Sequence, residues 1–362
     1  MNICIVAGAR PNFVKVAPII RAIEKARTTR PDISFTLVYA GRSDDPTLES
    51  SLFEDLQIAR PTVFLDVDSA SLNEITGRVM GAFEQYLLQN PTDVVIVVDD
   101  LASTMAAAIV TKKQGIRLAH LVAGTRSFDI RMPKEINRLV IDGLSDLLFT
   151  AGDGASNIAT REGANLSKIY KVGNILMDSL RFNHNRWTRP ACMDTLGLQE
   201  RQYIVFTLNR KALIADTDNL QAMVAAMVEQ AGDIPIVAPL RGQAAAVVSR
   251  INALLPQSPI LITEPLGYLD FGYLTAHALG IVTDSGNVAE EATFNSVPCI
   301  TLNSYTEHIE TVTVGSNVLV GEDPGLLGEH MSKMVRGEWK ASGIPDRWDG
   351  RAAERIVQIL IG

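Results

Sequence analysis

Short apolar runs alternate with amphipathic segments along the chain. In the first half, the runs predicted as buried strands are residues 3–7, 33–40, 93–98, 116–122 and 147–151. Between the first two runs, Val16, Ile19, Ile20 and Ile23 follow the i, i+3, i+4, i+7 spacing of one helix face. Residues 72–89 show a second helical pattern. The first half is therefore predicted to alternate strands with helices.

The second half repeats this organisation. Its predicted strands are residues 203–206, 234–238, 259–262, 279–283, 298–302 and 317–320. Alternating strands and helices imply parallel sheets that are covered by helices on both faces. A chain of 362 residues is long enough for two domains of ordinary size. The pattern predicts an α/β protein with two doubly wound domains.

The boundary between the two series is predicted at residues 185–202, which contain a Trp-Thr-Arg-Pro segment and few hydrophobic repeats. A last amphipathic helix is expected at residues 349–360, after a loop at 343–346 that contains Gly and Pro. The hydrophobic pattern alone leaves open which domain this helix packs on.

Composition and charge exclude several classes of partner. The formal net charge is -8 and the sequence pI is about 5.3, which argues against a general nucleic-acid or anionic-membrane surface. No apolar stretch reaches the ~18 residues that a membrane helix needs, and residues 2–6 read as a strand rather than a signal peptide. We expect a cytoplasmic protein that binds no nucleic acid and no membrane.

The loop after the first strand carries candidate anion-binding chemistry. Gly8 permits a tight turn, Arg10 offers several donors in a fixed geometry, and Lys15 lies one turn into the predicted helix. Ligands of doubly wound sheets bind beyond the carboxyl ends of the strands, and helix N-termini attract phosphate. The alternative is a surface turn with two solvated cations; the position after the first strand favours a site.

A second candidate is the segment 283–291, where a strand runs into a helix. Ser285 is a typical N-cap residue, and Gly286 allows a ligand close to the backbone. The helix dipole and free N–H groups there favour a diphosphate. Glu291 is placed to accept from ribose hydroxyls. By itself the segment is equally consistent with ordinary helix capping.

Two further strand ends carry charged residues. One is followed by a dense cluster of charged side chains, namely Arg126, Arg131, Lys134, Glu135 and Arg138, which a solvated face explains only in part. At the other, Asp100 is a candidate general base or sugar-orienting group. The residues alone leave equally open that Asp99 or Asp100 caps the following helix.

Other catalytic patterns are absent from the sequence. It has no zinc-like His/Cys spacing, no Walker or GxSxG motif, and no GxGxxG fingerprint, which disfavours a Rossmann dehydrogenase. The five histidines are scattered, and each is expected to be structural. We therefore predict no metal site and no cofactor.

Taken together, the segments resemble the UDP-N-acetylglucosamine 2-epimerase family. The resemblance runs nearly end to end, through residues 8–15, 128–138 with its Met-Pro-x-Glu-Ile-Asn-Arg core, 147–149, 172–174, 283–292, 318–321 and 348–355. It implies two Rossmann-like domains of the glycosyltransferase B type that face each other across a cleft. The implied division is 1–184 and 185–348, with the C-terminal helix at 349–362 returning to the first domain.

The resemblance also implies a ligand and a reaction. Members bind a UDP-sugar in the cleft and usually form homodimers. Their reaction removes the proton at sugar C2 and expels UDP, so it needs acid/base groups near C2 and cations on the diphosphate.

The family's site positions carry over residue by residue. The positions implied for catalysis are Asp100, Glu135, Arg138 and Asn209. Those implied for nucleotide or sugar binding are Arg10, Lys15, Arg126, Arg210, Phe271, Ser285, Gly286, Asn287, Glu291 and His308.

The chain departs from the family pattern at several polar positions. Val122 replaces the Glu of His-x-Glu-Ala-Gly, Lys134 the first Glu of Pro-Glu-Glu, and Asn209 the His of Thr-x-His-Arg. His308 replaces the Arg of Thr-Glu-Arg-Pro, and Asn287 the second Gly of Asp-Ser-Gly-Gly. Each lost acid/base group typically lowers a rate ~10²–10⁴-fold.

Three hypotheses of function follow from these departures. The first is an epimerase-like enzyme that acts by C1–O cleavage with a degraded C2 acid/base set. The second is a glycosyltransferase or nucleotide-sugar hydrolase that cleaves at C1 without C2 epimerisation. The third is a UDP-sugar-binding homologue that does not catalyse a reaction.

Overall fold

The computed structural model describes residues 1–255 and 259–362. The chain divides into two compact units. Unit 1 comprises Met1–Phe182 and Asp346–Gly362, and unit 2 comprises Asn183–Pro345. Each unit is built around one parallel β-sheet.

Unit 1 contains a seven-stranded sheet. Its strands are β1 (Asn2–Ala7), β2 (Ser34–Tyr39), β3 (Val63–Phe64), β4 (Val94–Val98), β5 (Arg117–Leu121), β6 (Leu147–Thr150) and β7 (Ile169–Lys171). All neighbouring strands are parallel, in the order β3-β2-β1-β4-β5-β6-β7. The β4 strand is buried at every position, because helices cover both faces of the sheet. The order reverses between β1 and β4, which makes that pair the switch point of the sheet.

The helices of unit 1 follow its strands. They are α1 (Arg10–Arg27), α2 (Ser50–Leu56), α3 (Leu72–Gln89), α4 (Ala102–Lys113), α5 (Pro133–Leu144), α6 (Asp153–Arg161) and α7 (Ile175–Asn183). Local sequence sets some of their starts: α1 and α5 have Pro in the first turn, and the Ser71 hydroxyl caps α3.

Unit 2 contains a six-stranded parallel sheet. Its strands are β8 (Ile204–Thr207), β9 (Ile236–Pro239), β10 (Ile260–Thr263), β11 (Gly280–Thr283), β12 (Cys299–Thr301) and β13 (Asn317–Leu319), in the order β10-β9-β8-β11-β12-β13. The side chains of successive β8 residues pack into different hydrophobic cores. Those of Ile204 and Phe206 pack into one core, and that of Val205 packs into the other. The switch point of this sheet lies between β8 and β11.

Helices again connect the strands of unit 2. They are α8 (Ala191–Thr195), α9 (Lys211–Ala215), α10 (Thr217–Ala231), α11 (Gly242–Leu254), α12 (Tyr268–Ala276), α13 (Gly286–Phe294), α14 (Glu310–Thr313) and α15 (Pro324–Val335). The segment predicted as a boundary is partly ordered into this unit, since Met193 and Leu198 are buried in its core.

The last helix, α16 (Ala352–Ile361), packs on α1 in unit 1. The N–H groups at the start of α16 have no acceptor within that helix. Those of Ala352 and Ala353 donate to the carboxylate of Asp178 in α7 at 3.0 and 2.8 Å. Burial raises the pKa of Asp178 to about 6, although both N–H donors oppose the shift. The predicted return of the C-terminal helix to the first domain is confirmed.

The predicted fold class is also confirmed, and every run predicted as a strand contains one. The pattern missed β3 and β7, which have two and three residues and none that is fully buried, so neither stands out as an apolar run. Within residues 1–255 and 259–362, we find no helix with the length and hydropathy that spanning a membrane requires.

Candidate functional site

In each unit, predicted site residues follow the two strands that flank the switch point. Gly8 to Arg10 follow β1, and Asp99 and Asp100 follow β4. Asn209 and Arg210 come shortly after β8, and Asp284 and Ser285 directly after β11. Ligands of doubly wound sheets bind at such points, so the fold brings the sequence candidates of each unit to the expected edge.

The β1 loop is joined to the β4 loop by side chains. The Asn12 amide oxygen accepts from the N–H groups of Gly8 and Ala9 at 2.9 and 3.1 Å. The Asn12 amide group then donates to Asp99 at 2.8 Å, and Lys15 Nζ lies 2.6 Å from the other Asp99 oxygen. Burial works to raise the pKa of Asp99, but the Lys15 ammonium outweighs it and holds that pKa below its usual value. Lys15 is thus engaged inside unit 1.

Gly8 is favoured by the close approach of the β1 loop to side chains at the start of α4, rather than by its backbone angles. A Cβ atom at this position would overlap the Ser103 hydroxyl in the first turn of α4. Neither Asp99 nor Asp100 caps that helix: its N-cap residue is Leu101, with no side-chain cap. The capping alternative for these two aspartates is therefore wrong.

The candidate acid/base residues of unit 1 form one ion-pair cluster. Arg138 donates to Asp100 Oδ2 from Nε at 2.9 Å and Nη2 at 2.6 Å, and to Glu135 Oε2 from Nη1 at 3.1 Å. Lys134 Nζ lies 3.5 Å from Asp100 Oδ1. Asp100, Glu135 and Arg138 are all buried. The fold therefore brings the three predicted catalytic residues of unit 1 into direct contact.

Glu135 also organises the loop before α5. Its carboxylate accepts from the Ser127 and Phe128 N–H groups at 2.9 and 2.8 Å, and from the Ser127 hydroxyl. Burial works to raise the pKa of Glu135, but these backbone and hydroxyl donors, with Arg138, lower it below its usual value. In this state Glu135 is an ionised acceptor within a closed network.

Arg126 is buried in a separate network behind the strand ends. Its guanidinium group contacts the Asp142 carboxylate at 2.8 Å and the Glu162 carboxylate. His120 bonds Asp142 through Nδ1 at 2.6 Å and the Asp99 carbonyl through Nε2 at 3.0 Å. Burial works to raise the pKa of Asp142, but His120 and Arg126 lower it. Sequence reasoning missed Asp142 and Glu162. Their only signal in the sequence was that they are acidic residues close to a predicted basic cluster.

Three residues at this edge have left-handed backbones. The φ angles are +57° at Asp99, +69° at Val122 and +60° at Phe128. A left-handed β-branched residue is a genuine outlier, and such strain accumulates at functional sites. Val122 is the β-branched residue among the three, so its backbone is strained at this edge.

In unit 2, Asp284 joins the loops after β8 and β11. Its Oδ2 accepts from the N–H groups of Asn209 and Arg210 at 2.7 and 2.5 Å. Its Oδ1 is buried and has no hydrogen-bond partner among the residues that the structure describes. The Arg210 guanidinium group contacts the Leu302 carbonyl at 2.8 Å and Glu322 at 2.6 Å. Sequence reasoning did not single out Asp284.

The N-terminus of α13 has the features predicted for a diphosphate site. Ser285 occupies the N-cap position, and its side chain makes no capping bond. Gly286 faces open space, and Asn287 is half-buried beside it. Glu291 is buried, and burial, reinforced by the neighbouring Glu290 carboxylate, raises the pKa of Glu291 to about 8.

The remaining unit 2 candidates lie around α13. His308 is buried, and its Nε2 lies 3.8 Å from Glu290. Phe271 is partly buried against the core that contains Val288, Ala289 and Ala292 of α13.

Arg10 lies at the first position of α1 in unit 1 and is half-buried. Across residues 1–255 and 259–362, no group of three or more His, Cys, Asp or Glu side chains is arranged to hold a metal ion.

The fold consists of two Rossmann-like α/β units, each with candidate residues at its switch point. A family profile described as UDP-N-acetylglucosamine 2-epimerase matches residues 25–361. The chain belongs to the UDP-N-acetylglucosamine 2-epimerase family.

Two curated relatives illustrate the range of that family. The UDP-N-acetylglucosamine 2-epimerase of Methanocaldococcus jannaschii is 34% identical, with 99% of each chain covered. The UDP-2,3-diacetamido-2,3-dideoxy-D-glucuronate 2-epimerase of Pseudomonas aeruginosa is 33% identical, also with 99% of each chain covered.

Solved structures show the same relationship. The M. jannaschii UDP-GlcNAc 2-epimerase in complex with UDP-GlcNAc and UDP has a TM-score of 0.86 at 33% identity, covering 100% of this chain and 99% of that one. A lipopolysaccharide outer core galactosyltransferase, WaaB, matches with a TM-score of 0.54 at 13% identity, covering 98% and 95%. The second similarity concerns the fold alone.

Proposed function

We propose that this chain binds a UDP-N-acetylhexosamine, or a closely related UDP-sugar, and breaks the bond between sugar C1 and the UDP oxygen. The observation that carries the proposal is the N-terminus of α13, where the Ser285 hydroxyl makes no capping bond. Free N–H groups and the helix dipole favour a diphosphate there. The solved M. jannaschii relative, which contains UDP-GlcNAc and UDP, supports this class of ligand.

In this proposal, residues around α13 in unit 2 bind the nucleotide. Ser285, Gly286 and Asn287 offer donors to the diphosphate, and Glu291 accepts from the ribose hydroxyls once it is ionised. Arg10, in unit 1, is proposed as a diphosphate-binding cation on the family resemblance alone. Arg210, Phe271 and His308 have supporting roles in the nucleotide-binding part of the site.

The remaining candidates have indirect roles. Lys15 and Arg126 are engaged by Asp99, and by Asp142 and Glu162, so we assign them to positioning the strand ends. Arg138 and Glu135 position Asp100 and the loop at Ser127. The side-chain amide of Asn209 cannot exchange a proton near neutral pH, so we give Asn209 no acid/base role.

Proton removal at sugar C2 is the step of the family reaction for which this chain has the fewest suitable groups. Epimerisation begins when a base takes the C2 proton, the C–H electrons form a C1–C2 double bond, and UDP leaves with the C1–O pair. Asp100 is our candidate for that base. Its Oδ2 is held by Arg138 and its Oδ1 faces Lys134, while Val122 cannot transfer a proton.

Val122 favours a second candidate function, in which cleavage occurs at C1 alone. There, the oxygen of water or of an acceptor hydroxyl attacks C1 while UDP departs with the bonding pair. That reaction is a hydrolysis or a glycosyl transfer, and it requires leaving-group stabilisation without a C2 base.

One experiment separates these functions from simple binding. The protein is incubated with UDP-GlcNAc in D₂O, and sugar C2 and free UDP are followed by NMR. Deuterium at C2 supports the epimerase-like reaction, and UDP release without C2 exchange supports cleavage at C1 alone. Binding of UDP-GlcNAc with neither change supports a non-catalytic homologue, and absence of UDP binding contradicts the whole proposal.

Restoring the family residues tests the assignment of the C2 step. The triple variant Val122→Glu, Lys134→Glu and Asn209→His is expected to gain C2 exchange, by at least the ~10²-fold that one acid/base group contributes. A variant that is folded and binds UDP but shows no gain contradicts our assignment of these positions.

We also propose that the protein is a homodimer, as the resemblance implies. Light scattering after size-exclusion chromatography tests this, with a mass of twice 39.3 kDa expected. A mass of 39.3 kDa at micromolar concentration contradicts the proposed dimer.

A further inference from the structure

His120 is a buried titratable residue of unit 1 that the proposed reaction does not use. It lies in β5 and is 1% exposed. Its Nε2 lies 3.0 Å from the Asp99 carbonyl oxygen, which can only accept a hydrogen bond, so Nε2 carries a proton. Its Nδ1 lies 2.6 Å from Asp142 Oδ1, and the proton between these two atoms belongs either to the ring or to the carboxyl group. The other contacts of Asp142 decide which.

Those contacts favour the ionised form of Asp142. Its Oδ2 accepts from the Gly124 N–H group at 3.0 Å and lies 2.8 Å from Arg126 Nη2. Donors and cations of this kind stabilise a carboxylate. Burial works to raise the pKa of Asp142, but His120 and Arg126 lower it below its usual value. The proton therefore lies on Nδ1, and both ring nitrogens donate, which only an imidazolium can do.

The charges of this cluster also balance only when His120 is a cation. Asp142 and Glu162 both contact the Arg126 guanidinium group, which compensates one of the two carboxylates. A charge that is buried without a partner is costly. A protonated His120 supplies the second cation, and it supplies it at the more deeply buried carboxylate, Asp142.

His120 helps to hold the backbone that carries Asp100. Its Nε2 donates to the Asp99 carbonyl, and the Asn137 side-chain amide, from α5, donates to the Asp100 carbonyl at 2.8 Å. Two consecutive carbonyl groups are thus held by side chains. Asp99 has a left-handed backbone with φ of +57°, a conformation that persists only when its surroundings enforce it. The positive charge of an imidazolium strengthens the bond that does so.

We infer that His120 is a positioning residue for Asp100 and that it acts as a doubly protonated imidazolium, which joins α5 to the loop after β4. The positioning role rests on the proposed function, in which Asp100 is the candidate base, whereas the protonation state does not. When the ring loses a proton, the Nδ1 lone pair faces the Asp142 carboxylate. Two acceptors then oppose each other, the tie to α5 is lost, and the strand end that carries Asp100 shifts.

Charged groups from several elements surround the ring. They are Asp142 and Lys134 in α5, Asp99 after β4, Arg126 after β5, Glu162 after α6 and Lys15 in α1. Asp142 contacts the ring directly, whereas Lys15 and Arg126 each contact a carboxylate. The charge nearest to the ring is therefore negative, as a buried imidazolium requires.

Long-range ¹H–¹⁵N NMR of the histidine rings tests the protonation state. Near neutral pH, both ring nitrogens of His120 are expected to be protonated. His330 is an internal control, because burial and Lys333 lower its pKa, so one of its ring nitrogens should be unprotonated. Substitution of each of the other four histidines in turn assigns the His120 signals by exclusion. An unprotonated ring nitrogen at His120 overturns the inference.

A pH titration of the same spectra tests the positioning role. As the pH is raised and the His120 ring loses a proton, the backbone amide signals of Asp99 and Asp100 are expected to shift in the same pH range. Amide signals that do not follow the ring overturn the positioning role. This arm uses the wild type alone, so it does not depend on the folding of a variant.

Asp142→Asn gives the matched comparison. Its amide can donate to Nδ1, and Glu162 alone balances Arg126, so the ring is expected to be neutral and the coupled amide shifts to disappear. Glu162→Gln is the control, since it changes the other partner of Arg126 but keeps the carboxylate that contacts the ring. It should retain the imidazolium and the coupled shifts. A doubly protonated ring in Asp142→Asn contradicts the assigned cause.

Turnover separates this inference from the proposed function. With UDP-GlcNAc, the wild-type rate of UDP release is expected to fall at least ~10-fold as His120 loses its proton, with KM changed less than about twofold, because one charge-assisted bond is lost. The profile of Asp142→Asn should lack this fall, and an equal fall in both proteins overturns the positioning role. A wild type that neither binds nor cleaves UDP-GlcNAc contradicts the proposed function, and the NMR titration still decides the inference.

Discussion

The two sheets use an aspartate in the same way at their switch points, but with different partners. Asp99 joins the loops after β1 and β4 through Lys15 and Asn12, so both of its oxygens are occupied. Asp284 joins the loops after β8 and β11 through backbone N–H groups to one oxygen, and its other oxygen has no partner among the described residues.

The difference extends to the neighbouring charges. In unit 1, Asp100, Glu135, Arg126 and Arg138 are buried within ion pairs. In unit 2, Ser285 makes no capping bond and Glu291 is buried beside another acid. Unit 1 thus has polar groups that hold one another in place, whereas unit 2 has a helix N-terminus without a side-chain cap, followed by a buried acid with a raised pKa. The following predictions test this contrast, from the largest expected effect to the smallest.

The largest effect is expected from Arg138→Met in unit 1. The substitution leaves Asp100 and Glu135 buried without their shared cation, which typically costs about 3–5 kcal/mol. Urea unfolding followed by Trp348 fluorescence measures the change within unit 1, in a background with Trp187 and Trp339 replaced by Phe.

The control for Arg138 is Arg131→Met, in which an arginine with an 87% exposed side chain loses its contact with Asp129. We expect a change within about 0.5 kcal/mol. A similarly small loss for Arg138→Met contradicts the view that unit 1 depends on its buried pairs.

The second effect concerns Glu291, a buried acid of unit 2 with a raised pKa. Because the pKa of Glu291 is raised to about 8, the folded chain holds a proton that the unfolded chain releases above its ordinary pKa of 4.5. This contribution to stability is complete below pH 4.5 and is lost as the pH rises through 8. Glu291→Gln is therefore expected to be close to the wild type at pH 5 and to exceed it by a few kcal/mol at pH 9, in urea unfolding at both pH values.

The matched variant in unit 1 has the opposite sign. The pKa of Asp99 is lowered, chiefly through Lys15, which overcomes the effect of burial. Its ionised form therefore stabilises the fold above its ordinary pKa, and this contribution is lost as the pH falls. Asp99→Asn should be less stable than the wild type at pH 7 and approach it in acid. If both variants shift in the same direction with pH, the contrast between the units is wrong.

A third effect compares two N-cap serines. The Ser71 hydroxyl accepts from the Glu74 N–H group at the start of α3, whereas Ser285 makes no such bond. We expect Ser285→Ala to weaken UDP binding by about 1 kcal/mol with little change in stability, as calorimetry and urea unfolding would show. Ser71→Ala should do the reverse, with about 1 kcal/mol lost in stability and UDP affinity unchanged. Unchanged UDP affinity in Ser285→Ala excludes its hydroxyl from the site.

The smallest effect concerns the strained residue of unit 1. Val122 has a left-handed backbone, which Asn tolerates far better than a β-branched residue. Val122→Asn is expected to raise stability by roughly 0.5 kcal/mol, because the relief of strain is partly offset by lost apolar burial. Val140→Asn, at a half-buried helical position, is the control and should lower stability. A loss of stability in Val122→Asn contradicts strain at this position.

Several features of the molecule were readable from the sequence because they depend on local order. Apolar runs predicted the strands from β1 to β13 except β3 and β7, and the 72–89 pattern gave α3 at its observed bounds. Ser285 falls at the N-cap position, since polar residues with short side chains favour helix starts. The strand ends were equally predictable as candidate sites, because parallel strands place their carboxyl ends on one edge.

Pairing between distant residues was not readable in this way. Nothing local indicates that Lys15 meets Asp99, that Arg126 is enclosed by Asp142 and Glu162, or that Asp178 caps α16. These contacts join residues far apart in sequence, and ion pairing depends on distance and burial rather than on residue type.

The sequence by itself thus determined the α/β class, the two series of strands and the family, because these depend on periodicity and residue identity. Only the tertiary structure decided which charges are available to a ligand. It encloses Lys15, Arg126 and Arg138 among carboxylates and leaves Lys134 exposed above Asp100. The physical reason is that neighbours in space decide whether a charge is neutralised or remains accessible to a ligand. Those neighbours are set by how the elements pack.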